Sequence, residues 1–168
     1  EACMKANAKI FAEYARLCQE NDIVPIVEPE VLIEGDYRIE KNYEVTAQNL
    51  KIVFEELKTA NVFIPGIILK TSMVIEGKDA KEKSTPDKIA EMTIKCFKEN
   101  VPSDIGGIVF LSGGQGDEQA TLNLNAMHKL GALPWPLSFS YGRAIQNSAL
   151  QSWAKNPADV AGAQAFLV

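Results

Sequence analysis

Gly66-Ile67-Ile68-Leu69-Lys70 is a short apolar run that stops on a lysine. Pro65-Gly66 breaks the chain before it, and Thr71 to Lys83 reads as a loop after it. Three other runs end in the same manner. Ile23 to Val27 leads into Glu28-Pro29-Glu30, Ile108 to Leu111 into Ser112-Gly113-Gly114, and Trp135 to Phe139 into Ser140-Tyr141-Gly142-Arg143. Glu28 and Ser112 stand at equal intervals on either side of Lys70. Polar groups at the same end of successive strands are expected where parallel strands open on a common mouth. Pro25 is the weak point of the first run, because proline fits poorly inside a central strand.

Helical patterns separate these runs. Over residues 1–20, Ala8, Phe11, Ala15 and Cys18 share one face, and Asn21 offers a left-handed stop. Residues 31–45, with Gly35-Asp36, read as a loop, and Thr46 is placed as the N-cap of a helix reaching about Ala60. Thr85 is the expected cap of a helix opening on Pro86 and Asp87, with Ile89, Thr93, Cys96 and Phe97 facing inward. Ala120, Leu124 and Met127 mark the inner face of a helix from about Asp117 to Leu130, ended by Gly131. Helices over about 144–154 and from 157 onward complete the chain. Regular strand–helix alternation predicts an α/β fold with a parallel sheet and right-handed crossovers. Four such units fit half of an eight-unit barrel of about 250 residues. A doubly wound sheet competes, but its glycine-rich turn usually follows the first strand, and here the glycines follow the third. Residues 1–168 are therefore expected to form one domain. The chain opens at Glu1, already inside a helical pattern, and reads as a piece of something longer.

Composition narrows the function. The 168 residues are 46% hydrophobic and 23% charged, with net charge −5 and no basic block, which argues against a nucleic-acid partner. No apolar run approaches the ~18 residues of a membrane span. No signal-peptide pattern opens the chain. Cys3, Cys18 and Cys96 are scattered and odd in number, as expected of free thiols in a reducing, cytoplasmic compartment. No Cys/His/carboxylate cluster is spaced for a metal. The single histidine, His128, sits mid-helix beside Lys129 and reads as packing or surface. Lys78, Lys81 and Lys83 read as a solvated loop.

The strand ends carry the chemistry. Desolvation at the end of a buried strand favours a neutral amine. A neutral amine can attack a carbonyl and form a Schiff base, which withdraws electrons from the adjacent carbon. The same position also suits a structural lysine balanced by a glutamate. Glu28 and Glu30 are two apart, so both point to one face if the strand geometry continues. Two carboxylates near a lysine suit proton transfer, and one of them can also neutralise it. Ser112-Gly113-Gly114 lets the backbone approach a ligand before a helix start that attracts anions. Ser140 to Arg143 repeats that arrangement and adds a guanidinium. Barrels often bind phosphate with the loops after strands seven and eight.

Val27-Glu28-Pro29-Glu30, Leu69-Lys70, Phe110-Leu111-Ser112-Gly113-Gly114-Gln115 and Phe139-Ser140-Tyr141-Gly142-Arg143-Ala144 together resemble the signature segments of class I fructose-bisphosphate aldolase, in order, from residue 1 to about Trp153. The resemblance implies a (β/α)8 TIM barrel, with this chain as its C-terminal half, strands five to eight. It implies that Lys70 is the Schiff-base lysine, Glu28 its proton donor and acceptor, and Glu30 a supporting acid. Ser112, Gly113, Ser140, Gly142 and Arg143, with Gly114 beside them, match phosphate-binding positions. The implied reaction is metal-independent, reversible cleavage of fructose 1,6-bisphosphate into dihydroxyacetone phosphate and glyceraldehyde 3-phosphate, by a homo-oligomer that is commonly a tetramer. Thr71 stands where the family usually has proline, and the family's C-terminal tail and first four strands are absent. The isolated chain is expected to be inactive or nearly so. A non-catalytic phosphosugar-binding fragment, or an aldolase for another phosphorylated ketose, are the alternatives.

Overall fold

Val27, Leu69, Ile108 and Leu137 lie side by side across four strands, and all are buried. The computed structural model describes residues 2–167, with Arg143 and Ala144 described by backbone alone. The elements run α1 (Ala2–Glu20), β1 (Ile26–Val27), α2 (Ile39–Thr59), a 3-10 turn (Ile64–Gly66), β2 (Ile68–Thr71), α3 (Pro86–Asn100), β3 (Gly107–Phe110), α4 (Asp117–Lys129), β4 (Leu137–Phe139), α5 (Arg143–Lys155) and α6 (Val160–Gln164). The four strands form one parallel sheet in the order β1-β2-β3-β4. A sheet that follows chain order without reversing is a barrel wall. A doubly wound sheet would reverse at a switch point.

Strand residues alternate between two faces. One face is dry. There Leu69, Ile108 and Phe110 join Leu50, Val53 and Leu57 of α2 and Ile89, Ile94 and Phe97 of α3 in one core. Phe97 stacks on Phe110 with ring centres 5.9 Å apart and meets Trp135 edge-on at 6.5 Å. Each such buried side chain contributes about 1.5–3 kcal/mol, so the stripe on α3 fixes how that helix lies on the sheet. The other face holds Ile26, Ile68, Lys70, Val109 and Ser138. Ile26 is 44% exposed, Ser138 is exposed, and the rest are half-buried. Burial on both faces, expected for a parallel sheet, is met on one face only among the described residues.

Several boundaries differ from the sequence reading. Ile23 and Val24 are exposed and outside β1, although the Pro25 carbonyl still accepts the Ile68 N–H at 3.0 Å. Pro25 thus joins the ladder through the one backbone group it has. Residues 39–45, expected as loop, are the first two turns of α2, and Thr46 is not its cap. Thr46 is buried in the helix and donates to Asn42 Oδ1 at 2.9 Å. Two polar residues on the inner stripe satisfy each other there, which hid the helix start. Lys70 does not end its strand, because Thr71 continues it. β4 begins at Leu137. Trp135 precedes it, buried, its indole N–H donating to the Pro102 carbonyl at 2.7 Å. Thr85 caps α3 as expected, accepting from the Lys88 N–H at 3.3 Å.

Candidate active site at the strand ends

Leu69 and Thr71 point into the core, so Lys70 between them points to the open face. Its Nζ lies 3.1 Å from Glu28 Oε1, with the two side chains 21% and 45% exposed. Glu28 gets there because the β1 exit is tied to the β2 exit. Thr71 Oγ1 donates to the Pro29 carbonyl at 3.3 Å, and the Val31 N–H donates to Ser72 Oγ at 3.4 Å. Thr71 therefore anchors the segment that carries Glu28. Glu28 and Glu30 are both exposed while Val27 and Pro29 are buried, so the two carboxylates share a face as expected. Among the described residues Glu28 is the carboxylate paired with Lys70, and Glu30 faces a neighbouring cleft.

That open cleft, about 620 Å³, is lined by Glu30, Ile33, Asn147 and the Ser112–Gly114 turn. Gly113 and Gly114 have φ +56° and +79°, and the Gln115 N–H donates to the Ser112 carbonyl at 3.0 Å. Two successive left-handed residues closed by that bond make a type I′ turn, which is why both are glycine. The first turn of α4 already carries Asp117 and Glu118, so the helix end itself is poor ground for an anion. The backbone N–H groups of the glycine turn are the better donors.

The β4 exit differs. The Ser140 N–H donates to the Phe110 carbonyl at 2.9 Å, seating it beside β3. Gly142 has φ −102°, and an added Cβ would meet open space, so its backbone does not require glycine. Arg143 is the first residue of α5, and its side chain lies outside the described residues. Tyr141 packs on Phe139 at 4.4 Å. Burial, with Asp117 adding, pushes its phenol up to about 12.

The loops after β1 and β2 meet backbone to backbone. The N–H groups of Gly77, Lys78 and Asp79 donate to the carbonyls of Tyr37, Ile33 and Gly35 at 2.9, 2.7 and 2.9 Å. A Cβ on Gly77 would sit 2.3 Å from the Gly35 carbonyl oxygen. Lys83, expected to be solvated, donates from Nζ to the carbonyls of Gly77 and Lys78, both at 2.9 Å. His128 is exposed. Among the described residues no group of three or more His, Cys, Asp and Glu could hold a metal ion, and no helix is long and apolar enough to cross a membrane. The sequence reading gave no role to Thr71, Ser72, Gln115 or Asn123. Asn123 left a signal, as a polar residue three after Ala120 and four before Met127 on an apolar stripe.

Fold and strand ends define a class, an α/β chain with part of a parallel barrel wall and a lysine–carboxylate pair at its mouth. Comparison with known proteins agrees. The family model for class-I fructose-bisphosphate aldolase matches residues 1–168. A probable fructose-bisphosphate aldolase class 1 of Xanthomonas campestris is 55% identical over 154 residues, covering 92% of this chain and 46% of that protein. Cytosolic fructose-bisphosphate aldolase 5 of Arabidopsis thaliana is 50% identical over 166 residues, covering 98% and 46%. Fructose-bisphosphate aldolase from Plasmodium falciparum, in a complex with TRAP and a small-molecule inhibitor, superposes with a TM-score of 0.94 at 41% identity, covering 99% of this chain and 48% of that one. The chain belongs to the class I fructose-bisphosphate aldolase family, and it spans about half the length of these relatives.

Proposed function

We propose that residues 1–168 are a single domain, the C-terminal half of an aldolase barrel with its strands five to eight, and that with strands one to four it cleaves fructose 1,6-bisphosphate reversibly. Lys70 Nζ attacks the ketose carbonyl, and loss of water gives an iminium. Removal of the C4 hydroxyl proton by a carboxylate turns C4 into the aldehyde carbon of glyceraldehyde 3-phosphate as the C3–C4 bond breaks, and the bonding electrons pass into the iminium, leaving an enamine. Protonation and hydrolysis then free dihydroxyacetone phosphate and Lys70. Glu28 delivers and removes protons during imine formation and breakdown, and Glu30 supports it from the same face. Ser112, Gly113, Gly114, Ser140, Gly142 and Arg143 hold a phosphate. The imine is the electron sink, and no metal takes part. The protein is a cytoplasmic homo-oligomer, a tetramer as is common in the family. A relative named as cytosolic supports that location.

The 3.1 Å approach of Lys70 Nζ to Glu28, beside a glycine turn, carries this reading. Borohydride reduction of the protein carrying both barrel halves, in the presence of dihydroxyacetone phosphate, is expected to leave a stable adduct on Lys70 detectable by mass spectrometry. An unmodified Lys70 would overturn the mechanism and leave a phosphosugar-binding protein.

A further inference from the structure

The inner stripe of α4 holds a fully buried polar residue, Asn123, in line with Ala120, Leu124 and Met127. A buried amide left unpaired is costly, so its partners matter. Asn123 Nδ2 donates to Gln115 Oε1 at 2.7 Å, and its Oδ1 accepts from Gln119 Nε2 at 2.9 Å. Gln115 Nε2 donates in turn to the Ser112 carbonyl at 3.3 Å, the same oxygen that closes the glycine turn. Donors all point one way, from Gln119 through Asn123 and Gln115 to Ser112. Reversing either inner amide would set donor against donor or acceptor against acceptor, so the chain fixes both side chains. The turn it reaches needs an anchor, because glycines at 113 and 114 leave the left-handed conformation as readily as they enter it.

We propose that Asn123 is a positioning residue that acts through Gln115 to hold the Ser112–Gly114 turn in its phosphate-binding conformation. This rests on the phosphosugar reading above. It assigns a role to a residue that touches no substrate.

The test compares Q115A, N123D and the double variant with the parent in the protein carrying both barrel halves. Q115A trims a half-buried loop side chain, leaving every α4 side chain in place but the Asn123 Nδ2 without its acceptor. N123D keeps the shape of Asn123 but sets a carboxylate oxygen against Gln115 Oε1. Calorimetric Kd for inorganic phosphate and KM for fructose 1,6-bisphosphate are both expected to rise about tenfold in each single variant, the worth of about one buried hydrogen bond. The fall in kcat is smaller than the rise in KM, and Q115A, which leaves the buried Asn123 Nδ2 without its acceptor, lowers the melting temperature by a few degrees only. The double variant is no worse than the worse single one, because all act through one chain. Q115A within about twofold of the parent in both constants would overturn the proposal, as would single effects that multiply. If N123D fails to fold, Q115A alone decides. A parent that yields no Lys70 adduct fails the aldolase reading separately, and the phosphate titration still reads the turn.

Discussion

Replacing Glu28 with glutamine separates the two roles its carboxylate can have. Two unit charges 3.1 Å apart attract by about 1 kcal/mol in a water-like dielectric. Glu28 is 45% exposed, and exposed pairs of this kind are worth about 0.2–1 kcal/mol. Glutamine keeps an oxygen within reach of Nζ, so E28Q should lower unfolding free energy by less than about 1 kcal/mol. A positioned acid–base group, in contrast, contributes about 100- to 10,000-fold to rate, or about 3–5 kcal/mol of barrier. The catalytic loss should therefore far exceed the structural one. Urea denaturation measures the first quantity. Steady-state cleavage and the rate of borohydride trapping on Lys70 measure the second, all in the protein with both barrel halves. A variant that loses several kcal/mol of stability yet traps and turns over within a few-fold of the parent would show the pair to be structural, and the acid–base argument would fall.

Four further outcomes follow from the geometry. Thr85→Ala removes the side-chain cap of α3 and should cost about 1 kcal/mol, read as a lower urea midpoint with an unchanged slope. Burial, with Glu99 adding, pushes the Cys96 thiol to about 12, and burial with a Glu99 hydrogen bond does the same for the Tyr43 phenol. The folded state then keeps protons that the unfolded chain loses above its ordinary values of 9.0 and 10.0. Their contribution is whole below about pH 9 and is lost as pH climbs toward 12, so the urea midpoint should fall across that window. Iodoacetamide near pH 8 should label exposed Cys3 and spare Cys96 until urea is added, whereas equal labelling would contradict this burial. Finally, the isolated 168-residue chain should show no measurable cleavage of fructose 1,6-bisphosphate, and turnover by it would refute the need for the other strands.

The order of the strands and the shared face of Glu28 and Glu30 were legible because both follow local rules. Apolar runs that stop on polar residues name strands, and a two-residue spacing names a face. Thr85, followed by Pro86 and Asp87, wrote the start of α3 directly. The start of α2 was not legible, because Asn42 and Thr46 look like loop residues until each is seen to bond the other. Nor was the extension of β2 to Thr71, since that hydroxyl is satisfied by the Pro29 carbonyl, far away in sequence. The Ser112 turn could be read as a turn, but its attachment to Asn123 depends on a helix face meeting a loop. Long-range polar pairs of this sort carry no periodic signature.

The three backbone hydrogen bonds between residues 33–37 and 77–79 have a mechanical consequence. The loop following the glutamate strand and the loop following the lysine strand are laced together, and Lys83 ties off the second. Neither can swing alone without breaking all three bonds and exposing the Gly35 carbonyl that lies packed against Gly77. A displacement of either loop that keeps these bonds must carry both loops as one plate. Acid and amine would then keep their spacing while the rim around them moves.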